Sequence, residues 1–524
     1  MQRRQLIQLG ATGLGVSIAG VPLELLAQDK DAKKGGTLNV LVQPEPPGLM
    51  MGLVQNGPTQ LISGNIYEGL LRYDDKLNPQ PQLASSWTVS PDGKTYTFKL
   101  KSGVKWHDGK PFTSADAVFS VDVFLRKTHA RLRGSLEALE SVKATDPLTL
   151  EFKLKYPFGP FLGLFENGTM PMVPRHIYEG TDFATNPANA TPIGTGPYKF
   201  KEWVKGSYIL LEANAAYHVP NLPLIEKVYY HVIPDAAARA AAFESGKIDI
   251  APGGSVEYFD VQRLAKLPGV AVTTKGWEFF SPHSWLWINH RKAPMNNVKF
   301  RQALMHAIDR EAMAKIAWYG FAKPATGPFN SAIKYASADV PKYPKDMAKA
   351  KALLAESGYK GETIRLLPLP YGESWQRQAE MVKQALTQIG IKLELVATDV
   401  AGWNQRLNEW DYDLAFTYLY QYGDPALGVA RNYTSTNIAK GSPFNNVEGY
   451  VNSRVDALFA AGARATDPAS RQKAYLEVQK LLVEEVPVAW LHEITFPTLY
   501  RAKVKNPVSS GIGLNDSIAR ASLA

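Results

Sequence analysis

The stretch between Thr363 and Ala397 constrains the fold more than any other. Thr363 to Leu369 reads as a strand, and Trp375 to Ile389 as a helix with Ala379, Val382, Leu386 and Ile389 along one face. Gly390 stops the helix, and Ile391 to Ala397 reads as a second strand. A strand, a crossover helix and a strand make a β-α-β unit, whose two strands must run parallel. Parallel strands need cover on both faces, so this part of the chain is committed to layered α/β architecture. The alternation continues with a helix from Ala401 to Trp410 and a strand from Tyr412 to Tyr418. It also occurs earlier, where an alanine-rich helix at Asp235 to Ser245 stops at Gly246 before a strand at Ile248 to Ala251. Two α/β regions, each with its own sheet, are the expected partition. Such a chain is able to close around a ligand between lobes.

The first part of the chain adds a different texture. Thr37 to Val42 reads as a strand that Pro44, Pro46, Pro47 and Gly48 break, and Pro58 to Leu71 as a helix. Ser86 to Val89 and Tyr96 to Lys101 alternate in character around the turn Ser90-Pro91-Asp92-Gly93, which predicts a hairpin. Thr113-Ser114-Ala115-Asp116 has the form of a capping box opening a helix through Leu125. With 524 residues, 45% of them hydrophobic, the chain has material for several domain-sized units and no repeat at solenoid periods.

The first 27 residues read as an address. Arg3-Arg4 followed by Gln5-Leu6-Ile7 precedes a run of small and apolar residues to Leu26, and Ala27 supplies a small residue for cleavage. The adjacent arginines resemble a twin-arginine signal, the kind used for substrates exported folded. Gly10, Gly13, Gly15, Gly20 and Pro22 argue against a stable membrane-spanning helix there. The chain has no cysteine. That excludes disulfide frameworks, thiol nucleophiles, zinc–thiolate sites and a lipid-bearing cysteine after the signal, so a protein free in the periplasm is expected, with no membrane insertion.

Motifs of catalysis are missing. There is no Gly-x-Ser-x-Gly elbow, no His-Glu-x-x-His pair and no P-loop, and Gly194-Thr195-Gly196 lacks the third glycine of a dinucleotide fingerprint. The nine histidines are scattered, with none at i, i+4. His107 sits in a Trp-His-Asp-Gly turn, whereas His283 and His290 flank Trp285 and Trp287, an arrangement suited to lining a cleft. The net charge of +9 is spread out: even the cluster Lys30, Lys33 and Lys34 is split by Asp29 and Asp31. This reads as a solvated surface, with no nucleic-acid partner. No enzyme activity, catalytic residue, metal site or cofactor is expected. Eleven tryptophans and 24 tyrosines exceed what a core needs, because each buried N–H and O–H requires a partner. Trp277, Phe279, Phe280, Trp285 and Trp287 form one aromatic run, open to two readings: a core strand, or an interlobe segment facing a cleft.

Three blocks then carry a resemblance: Pro81-Gln82-Leu83-Ala84-Ser85-Ser86-Trp87, Asp92-Gly93-Lys94-Thr95-Tyr96-Thr97-Phe98, and Gly103 to Phe112 with Trp106-His107-Asp108-Gly109 at its centre. Further blocks follow in order: Pro192 to Tyr198, Ser245-Gly246-Lys247-Ile248-Asp249, Arg301-Gln302-Ala303-Leu304 with Ala307-Ile308-Asp309-Arg310, and Gly423-Asp424-Pro425. Together, from Gly35 to Leu491, they resemble the family 5 extracellular solute-binding proteins, the dipeptide-, oligopeptide- and nickel-binding subunits of ATP-driven importers. The resemblance implies an α/β, two-lobed type II periplasmic-binding-protein fold with an inserted subdomain in the first lobe. On that pattern the signal spans residues 1–27, the first lobe 28–283 with the insertion at about 76–190, the second lobe 284–491, and a C-terminal return 492–524. It implies a monomer that passes a peptide or peptide-like solute to an inner-membrane ABC permease with its ATPase. A non-peptide solute (an acidic small molecule, an opine, an oligosaccharide or a chelated metal) is the alternative, and a secreted hydrolase or a chemoreceptor module the less favoured ones.

The resemblance also names contacts. Trp403 stands where peptide binders have a pocket tryptophan, and Arg377 near an arginine that meets a peptide carboxylate. Arg377 also lies in the first turn of a helix, where free N–H groups favour anions. Tyr418 to Asp424 resembles the stretch that holds the ligand amine, with Gln421 where peptide binders carry an aspartate. Tyr418, His283 and Trp285 complete the expected lining. Because a buried ammonium needs a carboxylate, Gln421 predicts an acid without a free α-amine, or a peptide-like molecule held differently; Asp399 or Glu373 are the candidates to restore the charge.

Overall fold

A computed structural model describes residues 34–524. The signal segment lies outside the described residues. Two large sheets organise the chain. The first has seven strands in the order Val270–Thr273, Thr498–Arg501, Ile250–Ala251, Thr37–Val42, Lys227–Val232, Tyr208–Ala213, Tyr198–Val204. Thr37–Val42 runs parallel to Lys227–Val232 and to Ile250, and the other pairings are antiparallel. The second sheet has six strands in the order Ala322–Pro324, Val488–Ile494, His283–Ile288, Leu414–Leu419, Thr363–Leu367, Lys392–Leu395. Its β-α-β unit is as the periodicity predicts: Thr363–Leu367 pairs in parallel with Lys392–Leu395, joined by the helix Glu373–Gln388. Every residue of His283–Ile288 and of Val488–Ile494 is buried, as central strands covered on both faces must be.

A third sheet, of four antiparallel strands, holds the predicted hairpin as Ala84–Val89 against Thr95–Leu100, next to Thr149–Leu154 and Leu139–Asp146. The capping box at Thr113 and Asp116 is formed, and the helix it opens, Ser114–Val118, continues with π-type hydrogen bonding over Phe119–Leu125. The helix expected over Pro58 to Leu71 is shorter. It spans Gly57–Ser63, and Leu71–Tyr73 is a strand. The reason is close backbone packing: Gly64 lies against the Asn515 carbonyl and Gly69 against the Phe165 carbonyl, so the chain leaves the helical path to make both approaches.

Two motif blocks meet in space. The His107 Nε2 is 3.0 Å from the Gly196 carbonyl, and the Gly194 N–H reaches His107 Nδ1 at 3.3 Å. Burial pushes His107 down to about 4, so this clasp is made by the neutral ring. Arg301 and Arg310 are likewise internal ties. Arg301 donates to the carbonyls of Met295, Glu485 and Val486, and Arg310 to those of Ala325 and Tyr343.

The chain passes between the large sheets twice, in residues 274–282 and again in 495–497. Each sheet has its own hydrophobic core; that of the first is continuous with the four-stranded sheet. The lobes touch at two seams. At one, the Gly159 N–H donates to the Ala463 carbonyl at 2.8 Å, and Arg464 lies 4.7 Å over the Tyr156 ring. At the other, the Glu257 carboxylate lies against Gly372 at the start of the helix Glu373–Gln388. Gly372 caps that helix with φ +93°, and a side chain there would put its Cβ 2.9 Å from Glu257 Oε1. Glycine serves both needs at once, the left-handed backbone and the close approach.

Candidate ligand-binding site

Both passages between the sheets are aromatic, and they face a third aromatic segment. Trp277, Phe279 and Phe280 come from the first passage, Phe496 from the second, and Tyr418, Tyr420 and Tyr422 from the end of the strand Leu414–Leu419 and its continuation. Tyr418 and Tyr420, at i and i+2 of an extended stretch, share one face, and Tyr422, in the turn that follows, keeps its ring 6.2 Å from that of Tyr420. Ring centroids are 4.9 Å apart for Trp277–Phe496, 5.0 Å for Phe280–Tyr420, 5.7 Å for Tyr418–Phe496 and 5.6 Å for Phe279–Tyr422. Trp375 stacks on Tyr418 at 5.6 Å and 20°, and Tyr371 closes the outer edge. Phe279, Phe280 and Trp375 are buried, whereas Trp277, Tyr418, Tyr420 and Tyr422 keep part of their surface and Tyr371 is exposed. Trp277 and Tyr420 pack against both hydrophobic cores. The rings therefore meet at the seam itself, and this cluster is called the chamber.

The aromatic run of the sequence divides between its two readings. Trp285 and Trp287 lie in the core strand and are fully buried, whereas Trp277, Phe279 and Phe280 line the chamber. Trp285 packs on His283 at 5.8 Å and Tyr433 at 5.7 Å, away from the chamber rings.

Gln421 and His283 are brought together, but as an internal knot. Gln421 Oε1 accepts the Asn330 N–H at 2.7 Å, and its Nε2 donates to the Pro328 carbonyl at 2.9 Å. Those two partners fix the amide orientation, so the 2.9 Å contact with His283 Nδ1 is a bond that the imidazole accepts. Burial, with a smaller push from His492, holds His283 down at about 3 and keeps it neutral. With its amide fully used, Gln421 has no group left to offer a ligand in this arrangement.

The other expected contacts are also occupied or displaced. Trp403 lies in the helix Val400–Glu409, buried against Trp287 at 6.2 Å and Phe444 at 6.3 Å, and no chamber ring packs on it. Arg377 pairs with Glu373 and lies 5.4 Å over Tyr319 at the outer face of its helix. Glu373 is thereby used, and Asp399 caps its own helix through the Gly402 N–H at 2.7 Å. Asp424 is paired with Arg471 at 2.8 Å, both side chains buried. Tyr418 alone among the expected residues lines the chamber. The cluster also contains Tyr420, Tyr422, Trp375 and Phe496, which the sequence reading did not single out; the alternating tyrosines of Tyr418 to Tyr422 were the available signal.

The chemistry on offer is apolar and aromatic contact from both lobes, bordered by cations. Arg131 crosses from the first lobe to lie 3.9 Å over Tyr422, and Arg431 lies 5.8 Å from the same ring. Among the described residues no group of three or more acidic or histidine side chains is placed to hold a metal ion, and no helix is long and apolar enough to cross a membrane.

Comparison with known proteins agrees with this architecture. The chain is 28% identical to the glutathione-binding protein GsiB of Salmonella typhi over 508 residues, 91% of each chain. Its fold matches the periplasmic binding protein DppA of Helicobacter pylori, solved with the peptide STSA, with a TM-score of 0.82 at 26% identity over 94% of this chain and 98% of that one. It also matches AgaA of A. tumefaciens R10, solved with agropinic acid, with a TM-score of 0.81 at 27% identity over 93% and 99%. The fold is thus the two-lobed type II form of periplasmic binding proteins. Residues 78–440 match the model of the bacterial extracellular solute-binding proteins, family 5, and with more than half its length matched the chain belongs to that family.

Proposed function

We propose that this chain captures a peptide-like acid in the aromatic chamber between its lobes and delivers it, in the periplasm, to an ABC permease. The observation that carries the reading is that Trp277 and Tyr420 each pack against both cores. A solute lying on them touches both lobes only when these are closed, so it favours the closed form by its differential affinity. No bond is made or broken. The relatives support the solute class: one is named for glutathione, one was solved with a peptide and one with agropinic acid. The saturated amide of Gln421 and the paired Asp424 favour a solute whose polar end is acidic over one anchored by a free ammonium. The twin-arginine pair Arg3-Arg4 supports export of the folded chain, and the working form is proposed to be a monomer without catalytic activity.

Closure is directly measurable. Titration with glutathione and short peptides, read by small-angle scattering and melting temperature, is expected to lower the radius of gyration. The melting point should rise with ln(1 + [L]/Kd). Trp277→Ala should weaken the bound solute by about 1–3 kcal/mol through lost ring contact. Tight binding without compaction, unchanged in Trp277→Ala, would refute the interlobe chamber as the capture site.

A further inference from the structure

Two guanidinium groups, one from each lobe, approach the Tyr422 ring: Arg131 at 3.9 Å and Arg431 at 5.8 Å from its centroid. Arg131 belongs to the first-lobe helix Ala130–Ser135, with its Cζ 3.9 Å from the ring centroid, and Arg431 follows the π-type turn Pro425–Val429 of the second lobe. The backbone of Tyr422 has φ +52° and that of Gly423 +69°, a left-handed pair that turns the chain sharply. A bulky residue held there is strained, and such strain persists where the surroundings fix the side chain for a purpose.

The charges at this corner do not balance. Arg131 donates to Thr169 Oγ1 at 2.6 Å and has Glu166 at 3.8 Å. Arg431 makes a long bond from Nε to the Gly428 carbonyl at 3.4 Å and forms no ion pair among the described residues. The groups that act on it are Tyr422 and the like-charged Arg131, and burial with that repulsion holds its pKa below the ordinary guanidinium value. A half-buried cation beside another cation is costly unless an anion arrives to share both.

We propose that Arg131, Tyr422 and Arg431 form the anchor for a single carboxylate of the captured solute, gripped by one guanidinium from each lobe. The proposal rests on the interlobe capture argued above and names the group that recognition turns on. One charge is left uncompensated, which matches a carboxylate better than a doubly charged phosphate. Because the two arginines belong to different lobes, the carboxylate collects both only on closure, which couples recognition to the closed state.

The test uses the full mature chain and the probe pair 3-phenylpropionate and 3-phenylpropionamide, whose phenyl body suits the aromatic chamber. Calorimetry and thermal shift should find the acid bound and the amide roughly 10–100-fold weaker, and Arg431→Met should erase that difference. Arg431→Lys keeps the charge without the fork and should fall between. Should Arg431→Met fail to fold, Arg131→Gln serves as the second variant, with the same loss expected. Equal binding of acid and amide, a preference that survives in both variants, or inorganic phosphate stabilising as strongly as the acid would overturn the anchor. Failure of the capture reading looks different: the acid preference is present and lost in Arg431→Met, but neither peptides nor acids compact the chain.

Discussion

Gln421 and Tyr422 are neighbours in sequence and differ completely in what their surroundings leave over. Around Gln421 every polar atom of the amide is bonded, and the imidazole beside it is locked neutral. Around Tyr422 two guanidinium groups meet and one lacks an ion-pair partner. The amide of Gln421 is spent within the second lobe, although His283 Nε2 beside it is buried without a partner; on the proposed reading, the unpaired guanidinium at the corner leaves something to be gained by binding. What separates scaffold from recognition on that reading is whether a charge is paired, more than depth or residue type.

The largest effect that would test this contrast is acid destabilisation of the knot. Buried His283 and His492 are held at about 3 and about 4, below the ordinary 6.5. Their neutral forms are favoured by the fold, so this stabilisation is complete above pH 6.5 and is lost as pH falls toward 4. Each should cost about 2 kcal/mol at pH 5 relative to pH 7, read from denaturant unfolding at the two values. A flat profile would mean that the knot admits protons and is not closed.

Comparable to the combined loss of about 4 kcal/mol from the two histidines is that of the Asp424–Arg471 pair, which anchors the far end of the same loop at 2.8 Å with both side chains buried. Asp424→Ala leaves Arg471 desolvated and should destabilise the chain by about 3–5 kcal/mol in chemical denaturation. A loss near zero would place the pair in water.

Gln421→Leu sharpens the comparison directly. It strands the Asn330 N–H and the Pro328 carbonyl and should cost about 2–4 kcal/mol of stability. The affinity for 3-phenylpropionate should stay within about twofold, because no free group of Gln421 is lost. A selective loss of affinity with stability intact would make Gln421 a recognition residue after all.

The smallest expected effect is at the seam. The Glu257 carboxylate faces the N-terminus of the helix Glu373–Gln388 across the lobes, and Glu257→Gln keeps the shape while weakening its attraction to that positive helix end, by about 0.5–1 kcal/mol. Scattering from the ligand-free chain should show a more open average, with little change in unfolding. An unchanged radius of gyration would remove Glu257 as a closure contact.

Much of the layered architecture could be read locally. The β-α-β unit at Thr363 to Ala397, the hairpin around Ser90 to Gly93 and the capping box at Thr113 each rest on contacts within one or two elements, and each is present. The helix over Pro58 to Leu71 was overextended, because Gly64 and Gly69 are needed by backbone from Asn515 and Phe165, far along the chain. The site was legible only in part. Tyr418 belongs to the aromatic cluster, but Gln421 and Arg377 are each engaged elsewhere within the protein: the amide binds Asn330, Pro328 and His283, and the guanidinium takes Glu373.

By itself the sequence determined the α/β class and the family, because periodicity, turn residues and motif order are written along the chain; it left the aromatic run Trp277 to Trp287 open between a core strand and an interlobe segment. Tertiary structure alone decided which polar groups are spent and which remain. Arg131 and Arg431 lie 300 residues apart and carry no motif, and their shared approach to Tyr422 exists only because two separately folded lobes close on one ring. Whether a buried charge is paired depends on every neighbour in three dimensions, and no local pattern encodes that sum.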